Sequence, residues 1–292
     1  MKIEFHDDFD LKKIKDSGQC FRVRELSDGS FRFIHKNKVL YIRNTGGASY
    51  EVSADKEEWE DIWLPYFDAG RSYEGIRLRI EPEDRFLKQA SEFGKGIRIL
   101  RQDPWEMLIT FIISQRKNIP AISGSVEMIA ERFGKKVKPD VCPAAGGEQA
   151  EEEPFFPDKE EGQLYLFPTP SELSRATEDD LRLCKLGYRA PYVLDAIRRV
   201  NNGELDLCKL NSCNDTELFE TLKSVQGVGD KVSNCVCLYA YGRTSSVPID
   251  TWIARIIELE YNGKNPFDKY EDAGGIMQQW AFFYAREKDL GR

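Results

Sequence analysis

The hydrophobic period of this chain changes once along its length. Residues 20 to 53 alternate with period two, in Phe21-x-Val23, Phe31-x-Phe33, Val39-x-Tyr41 and Tyr50-x-Val52, with Asp28-Gly29 and Thr45-Gly46-Gly47 supplying turn chemistry between runs. From about Lys56 the apolar residues recur at three- and four-residue spacing: Trp59, Ile62 and Trp63, then Phe86, Leu87 and Ala90, then Leu108, Ile109, Ile112 and Ile113. A strand face and a helix face cannot come from one pattern. The chain is therefore expected to be α+β, with an N-terminal antiparallel β-sheet domain over residues 1–80 and a larger all-α domain over 81–292. At 292 residues and 41% hydrophobic content it can bury a full core.

Composition removes several chemistries. The seven cysteines form no C-x-x-C pair, so reduced thiols are expected in place of disulfides or a zinc ribbon. His6 and His35 are the only histidines, both near the N-terminus, which leaves little material for a histidine-based hydrolase. The first residues show no basic stretch running into an apolar one, and nothing later approaches the roughly 18 apolar residues of a membrane span. The expected location is cytoplasmic and nucleoid-associated, or nuclear in a eukaryote, without membrane contact or secretion.

A net charge of −8 argues at face value against a nucleic-acid partner. Between Asp140 and Gly162, however, eight acids face Lys159 alone, which leaves the remainder near −1. The segment from about 139 to 168 carries this run together with five prolines and three glycines, and reads as a solvated surface insertion without helix or strand. Amphipathic segments with polar caps follow at Ser171–Leu183, Tyr192–Asn202 and Asp215–Val225.

The most informative stretch runs from Leu222 to Val236. Leu218, Leu222 and Val225 close one helix, Gly227-Val228-Gly229 makes a tight turn, and Lys231 opens a second helix through Val232, Val236 and Tyr239. This is a helix-hairpin-helix: glycines permit close backbone approach, and the amides of the turn and helix start can donate to a phosphate oxygen. Lys231 could be a phosphate contact or, as a neutral amine, a nucleophile toward a sugar C1′. Asp250, in Val247-Pro-Ile-Asp250 before a helical pattern, reads both as an N-cap and as a carboxylate able to stabilise an oxocarbenium-like sugar.

Gly227-Val-Gly-x-Lys231 followed by Val247-Pro-x-Asp250 resembles the 8-oxoguanine DNA glycosylases of the helix-hairpin-helix superfamily. Ser17-Gly18-Gln19-Cys20-Phe21-Arg22, Arg98 to Pro104, Leu186-Gly-Tyr188-Arg189-Ala190 and Gly275-Ile-Met-Gln278-Gln279 fall in the same order as in that family, and the acidic insertion is outside the likeness. The resemblance implies a base-excision-repair enzyme that flips 8-oxoguanine out of duplex DNA and releases it, acting as a monomer. Lys231 would form a Schiff base that permits β-elimination (AP lyase activity), and Asp250 would stabilise the transition state. It implies that Cys235 and Phe282 sandwich the base, that Gln278 binds its Watson–Crick edge, and that the Gly18 carbonyl attracts the N7 proton that guanine lacks. Tyr188 would wedge the opened stack while Arg189 reaches the opposite base. Gly227 and Gly229 would approach the DNA backbone, and the carbonyls of Lys223, Val225 and Val228 would hold a monovalent ion or calcium. No other cofactor is expected, and the four-cysteine iron–sulfur motif of some relatives is missing.

The chain also departs from that pattern. Arg116 stands where an asparagine usually fills the vacated stack, Ala121 where an arginine often meets the orphaned cytosine, Asn234 where an acid follows the lysine, and Trp252 where a histidine lies near phosphate. Two alternatives use parts of the same motifs: an alkylpurine glycosylase of this fold, which needs only the aspartate and an aromatic pocket, and a non-catalytic DNA-binding module with Lys231 as a point charge.

Overall fold

The computed structural model describes residues 1–137 and 163–290. Five antiparallel strands form the N-terminal sheet in the order β1-β5-β4-β3-β2: β1 (Lys2–Glu4), β2 (Arg24–Glu25), β3 (Phe31–His35), β4 (Lys38–Gly46) and β5 (Ser49–Val52). Pairing of Phe33 with Leu40 and of Ile42 with Val52 puts these four side chains into a core that they share with Trp59, Trp63 and Phe67. Strand β1 adds a fifth member through Ile3 opposite Tyr50. Three residues are too few to show a period, so the alternation rule had no purchase there.

The first alternating run of the sequence is not a strand. Phe21 turns away from the sheet into the helical core, where it meets Phe111 edge-on with ring centroids 6.0 Å apart. Tyr73, Ile76 and Ile80 also belong to that core while Leu100 returns to the sheet's, so apolar packing changes hands near residue 70. Arg98, fully buried, bolts the two parts together: its guanidinium donates to the carbonyls of Phe67 (2.9 Å), Asp8 (3.0 Å), Asp68 (2.6 Å) and Arg71 (2.6 Å).

The helical part is built around Pro104–Ser114, capped by Asp103 through the Glu106 N–H (2.9 Å) and buried on every side from Trp105 onward. A helix apolar all round is a central one. Ser171–Leu183 divides into two short helices, Pro170–Leu173 and Glu178–Leu183, each opened by a threonine capping box. The acidic run itself lies outside the described residues. Its C-terminal flank is ordered against expectation: β7 (Leu164–Tyr165) pairs with β6 (Lys136–Val137), Phe167 is buried, and the Trp105 indole donates to the Pro168 carbonyl (2.9 Å). Composition of the whole segment masked this short apolar stretch. Among the described residues, no helix is long and apolar enough to cross a membrane.

Candidate active site and DNA-facing surface

Asn214 caps the first hairpin helix, Asp215–Lys223, and Asp230–Tyr239 forms the second. Leu218, Leu222, Val225, Val228, Val232 and Val236 are all buried between the two, and the Val228 N–H closes the turn on the Val225 carbonyl at 3.0 Å. Gly227 has φ +79°, and a Cβ there would collide with the Tyr192 ring. Its carbonyl accepts from Gln115 Nε2 at 3.0 Å, which ties the hairpin to the end of the central helix. Gly229 differs: its backbone is extended, and a Cβ would meet only open space. The protein's own packing does not demand glycine there.

Lys231 projects from the first turn of the second hairpin helix toward the C-terminal end of the central one. Its Nζ lies 3.3 Å from Ser114 Oγ and 5.4 Å from the centre of the Phe111 ring. Ser114 donates to the Phe111 carbonyl at 2.8 Å, so its lone pairs face the amine. Cys235, one turn on, is buried, and burial pushes its thiol up to about 11 against the pull of Lys231. It is a neutral, polarisable wall and not a thiolate. Asp250 caps the Thr251–Tyr261 helix by accepting from the Ile253 N–H at 2.9 Å. Burial holds its carboxyl above the usual range, and the Ile253 amide and Lys231 draw it part of the way back.

Gly18 has φ +81°, and a Cβ there would come within 3.2 Å of Phe282. Both neighbours of Gly18 are clamped. Gln279 Nε2 donates to the Ser17 carbonyl (2.7 Å) while Gln279 Oε1 accepts from the Tyr239 hydroxyl. The Gln19 side chain reaches Ser17 Oγ and the Arg98 carbonyl and accepts from the Leu100 N–H (2.8 Å). The Gly18 carbonyl accepts no hydrogen bond from the described residues. Gln278 is buried with an unpartnered Oε1. The Gly18 carbonyl beside the Phe282 ring and Gln278 Oε1 one turn along that ring's helix are two acceptors that the described residues leave unused.

On the outer side, Arg189 is buried: its guanidinium donates to the Gln115 and Leu186 carbonyls and stacks 4.3 Å from the centre of the Tyr188 ring. Tyr188 itself is 47% exposed and points outward. Arg116 is exposed and left-handed at φ +52°, an uncommon backbone state for arginine. Beside it, burial and then the cations Arg189 and Lys185 lower Lys117, which is held by Ser125 Oγ (2.6 Å) and the Lys185 carbonyl (2.7 Å). This side is locally basic despite the acidic total.

Residues 2–108 match the family model for the 8-oxoguanine DNA glycosylase N-terminal domain. The solved Clostridium acetobutylicum 8-oxoguanine glycosylase/lyase, in complex with double-stranded DNA containing cytosine opposite 8-oxoguanine, superposes with a TM-score of 0.83 at 34% identity, over 99% of each chain. The chain belongs to the 8-oxoguanine DNA glycosylases. A second member, MBOgg1 in complex with a low-affinity DNA ligand, gives a TM-score of 0.86 at 35% identity, covering 99% of this chain and 96% of that one. The Saccharomyces cerevisiae N-glycosylase/DNA lyase is 34% identical over 192 residues, 62% of this chain but 45% of the yeast protein, so the match spans under half of that relative.

Within this glycosylase, Lys231, Cys235 and Asp250 lie close enough to act on one another electrostatically, and Gly18 adjoins Phe282, one turn along its helix from Gln278. Gln115, next to Arg116, links Arg189 and its Tyr188 partner to the hairpin turn: its carbonyl accepts from Arg189 and its amide donates to the Gly227 carbonyl. Trp252 is half-buried against the helical core, and Asn234 folds back on the Asp230 carbonyl at 3.0 Å. Sequence reasoning missed Ser114, Gln115, Gln279 and Arg286. For Arg286 a signal existed: it lies at i+4 and i+8 from Phe282 and Gln278 on one helix face.

Proposed function

We infer that this glycosylase extrudes 8-oxoguanine from duplex DNA, cleaves its glycosidic bond and then nicks the strand. The observation that supports the reading is Lys231 beside the buried Asp250 carboxyl, together with a Gly18 carbonyl that no described residue uses. An alkylpurine enzyme would need neither the lysine nor that carbonyl.

In the reaction, Lys231 Nζ, after loss of its proton, bonds to C1′ of the flipped nucleotide. The C1′–N9 bond breaks with its electron pair going to the base, which leaves protonated. Asp250, fixed as a cap, offsets the positive charge that develops on the sugar. Ring opening gives a lysine imine; loss of a C2′ proton then expels the 3′ phosphate by β-elimination. Cys235 and Phe282 hold the base between them, and Gln278 meets its Watson–Crick edge. Tyr188 fills the stack that the base leaves, and Arg189 turns from the protein carbonyls to the opposite base. The amides of the hairpin, with Gly229 open in front of them, hold a phosphate. The Lys223 and Val228 carbonyls accept no hydrogen bond from the described residues and Val225 retains a lone pair, so these three would hold a monovalent ion or calcium, which would supply positive charge for a DNA phosphate.

The test is base release followed by mass spectrometry from duplexes carrying one 8-oxoguanine or guanine at the same position. Release and nicking of the first alone is expected, with both lost in Lys231→Gln. Intact 8-oxoguanine strands after prolonged incubation would overturn the substrate assignment.

A further inference from the structure

Gln278, Phe282 and Arg286 lie at successive four-residue steps on the helix Gly274–Glu287 and so share one face. At one end of this row is the orphaned acceptor Gln278 Oε1; at the other is an orphaned donor, Arg286 Nη1, buried and without a partner. The rest of the guanidinium is anchored. Its Nη2 donates to the Asp16 carbonyl and to Glu287 Oε1 (2.8 Å), Nε reaches Glu287 Oε1 (3.3 Å), and the group lies 5.5 Å from the centre of the Phe282 ring. Nη1 stands 3.2 Å from the point where Gly18 would carry a Cβ, which makes it a direct neighbour of the Gly18 backbone.

This order of groups matches one purine. 8-Oxoguanine presents donors on its Watson–Crick edge, a donor at N7 and an acceptor at O8 next to it, whereas guanine has an acceptor at N7 and a bare C–H at C8. Stacked on Phe282 with its Watson–Crick edge at Gln278 and N7 at the Gly18 carbonyl, the lesion brings O8 to the Arg286 end of the row. We propose that Arg286 reads the O8 carbonyl of the lesion through Nη1, as a specificity residue beside Gly18. The proposal rests on the 8-oxoguanine reading above and adds a second point at which guanine fails: it leaves a charged donor unpaired as well as an acceptor facing an acceptor.

Replacing O8 by sulfur keeps the N7 proton but weakens the acceptor. The experiment is single-turnover excision from duplexes carrying 8-oxoguanine or 8-thioguanine by the wild-type protein, Arg286→Met and Arg286→Lys. Loss of a charged hydrogen bond should slow Arg286→Met on 8-oxoguanine by roughly tenfold or more and leave the thio substrate much less affected. The oxo-to-thio preference then falls, and Arg286→Lys, which retains a donor, keeps most of it. The ratio is taken within one preparation, so a partly folded variant does not distort it. Equal slowing on both substrates would assign Arg286 to holding the Asp16 carbonyl and overturn the proposal alone. Failure of the wild type to release 8-oxoguanine would overturn the functional reading with it.

Discussion

Capping the Thr251–Tyr261 helix requires of residue 250 only a side-chain oxygen, whereas stabilising a sugar cation requires a charge. Asparagine caps as well as aspartate. Because burial raises the folded carboxyl above its unfolded value, the ionised form is penalised: the stability that the protonated group contributes is present below the unfolded value, near 3.9, and is lost as pH rises through the folded one. Asp250→Asn should therefore melt at or above the wild-type temperature at neutral pH, with the gap closing in acid, while excision falls about 100-fold or more. Thermal melts across pH beside single-turnover rates check this; a melting temperature several degrees lower would show that the carboxylate is structurally favourable. Position 121 carries a second residue-scale prediction. The side chain of Ala121 cannot make the base contact expected of an arginine, a contact worth roughly 1–3 kcal/mol, so the preference for cytosine opposite the lesion should be weaker than two arginines would give. Strict dependence on cytosine would contradict it.

The two hairpin glycines separate at the scale of elements. Gly227 is required by the left-handed turn and by the Tyr192 ring, so Gly227→Ala should cost about 1 kcal/mol or more in stability and weaken DNA binding with it. Gly229→Ser keeps an N-cap and meets no protein atom, so it should leave the melt unchanged and lower DNA affinity alone. Calorimetry and fluorescence-anisotropy titrations distinguish the pair; a destabilised Gly229→Ser would remove the reason given for that glycine. The central helix has its own pH signature. Glu106, buried at its start, is pushed up to about 7 chiefly by burial, against Arg22 and with Asp103 and Glu127. The stability held by its neutral form should fade as pH rises through about 7, and Glu106→Gln should flatten that decline.

Across the whole molecule, what could be read beforehand was whatever a few residues in sequence determine. The hairpin, Lys231 and the Asp250 cap are local patterns, and the helices that they open form where the sequence puts them. Strand β1 is too short to carry a pattern, Phe21 alternates like a strand residue yet serves the helical core, and residues 163–168 are ordered by β6 and Trp105 from a distance. Gln279, Ser114 and Arg286 matter through partners 40 to 270 residues away, which no local rule reaches. Because β6 and β7 pair at its base, exchanging residues 138–162 for a short turn should leave excision within about twofold, loop length being a weak thermodynamic variable. The chemistry itself rests on one covalent bond. Borohydride trapping on duplexes with a single 8-oxoguanine, beside Lys231→Gln, reads that bond. The prediction is a protein–DNA adduct formed by the wild type and absent from the variant. Base release without any adduct would contradict a lysine imine and leave a monofunctional enzyme working through Asp250.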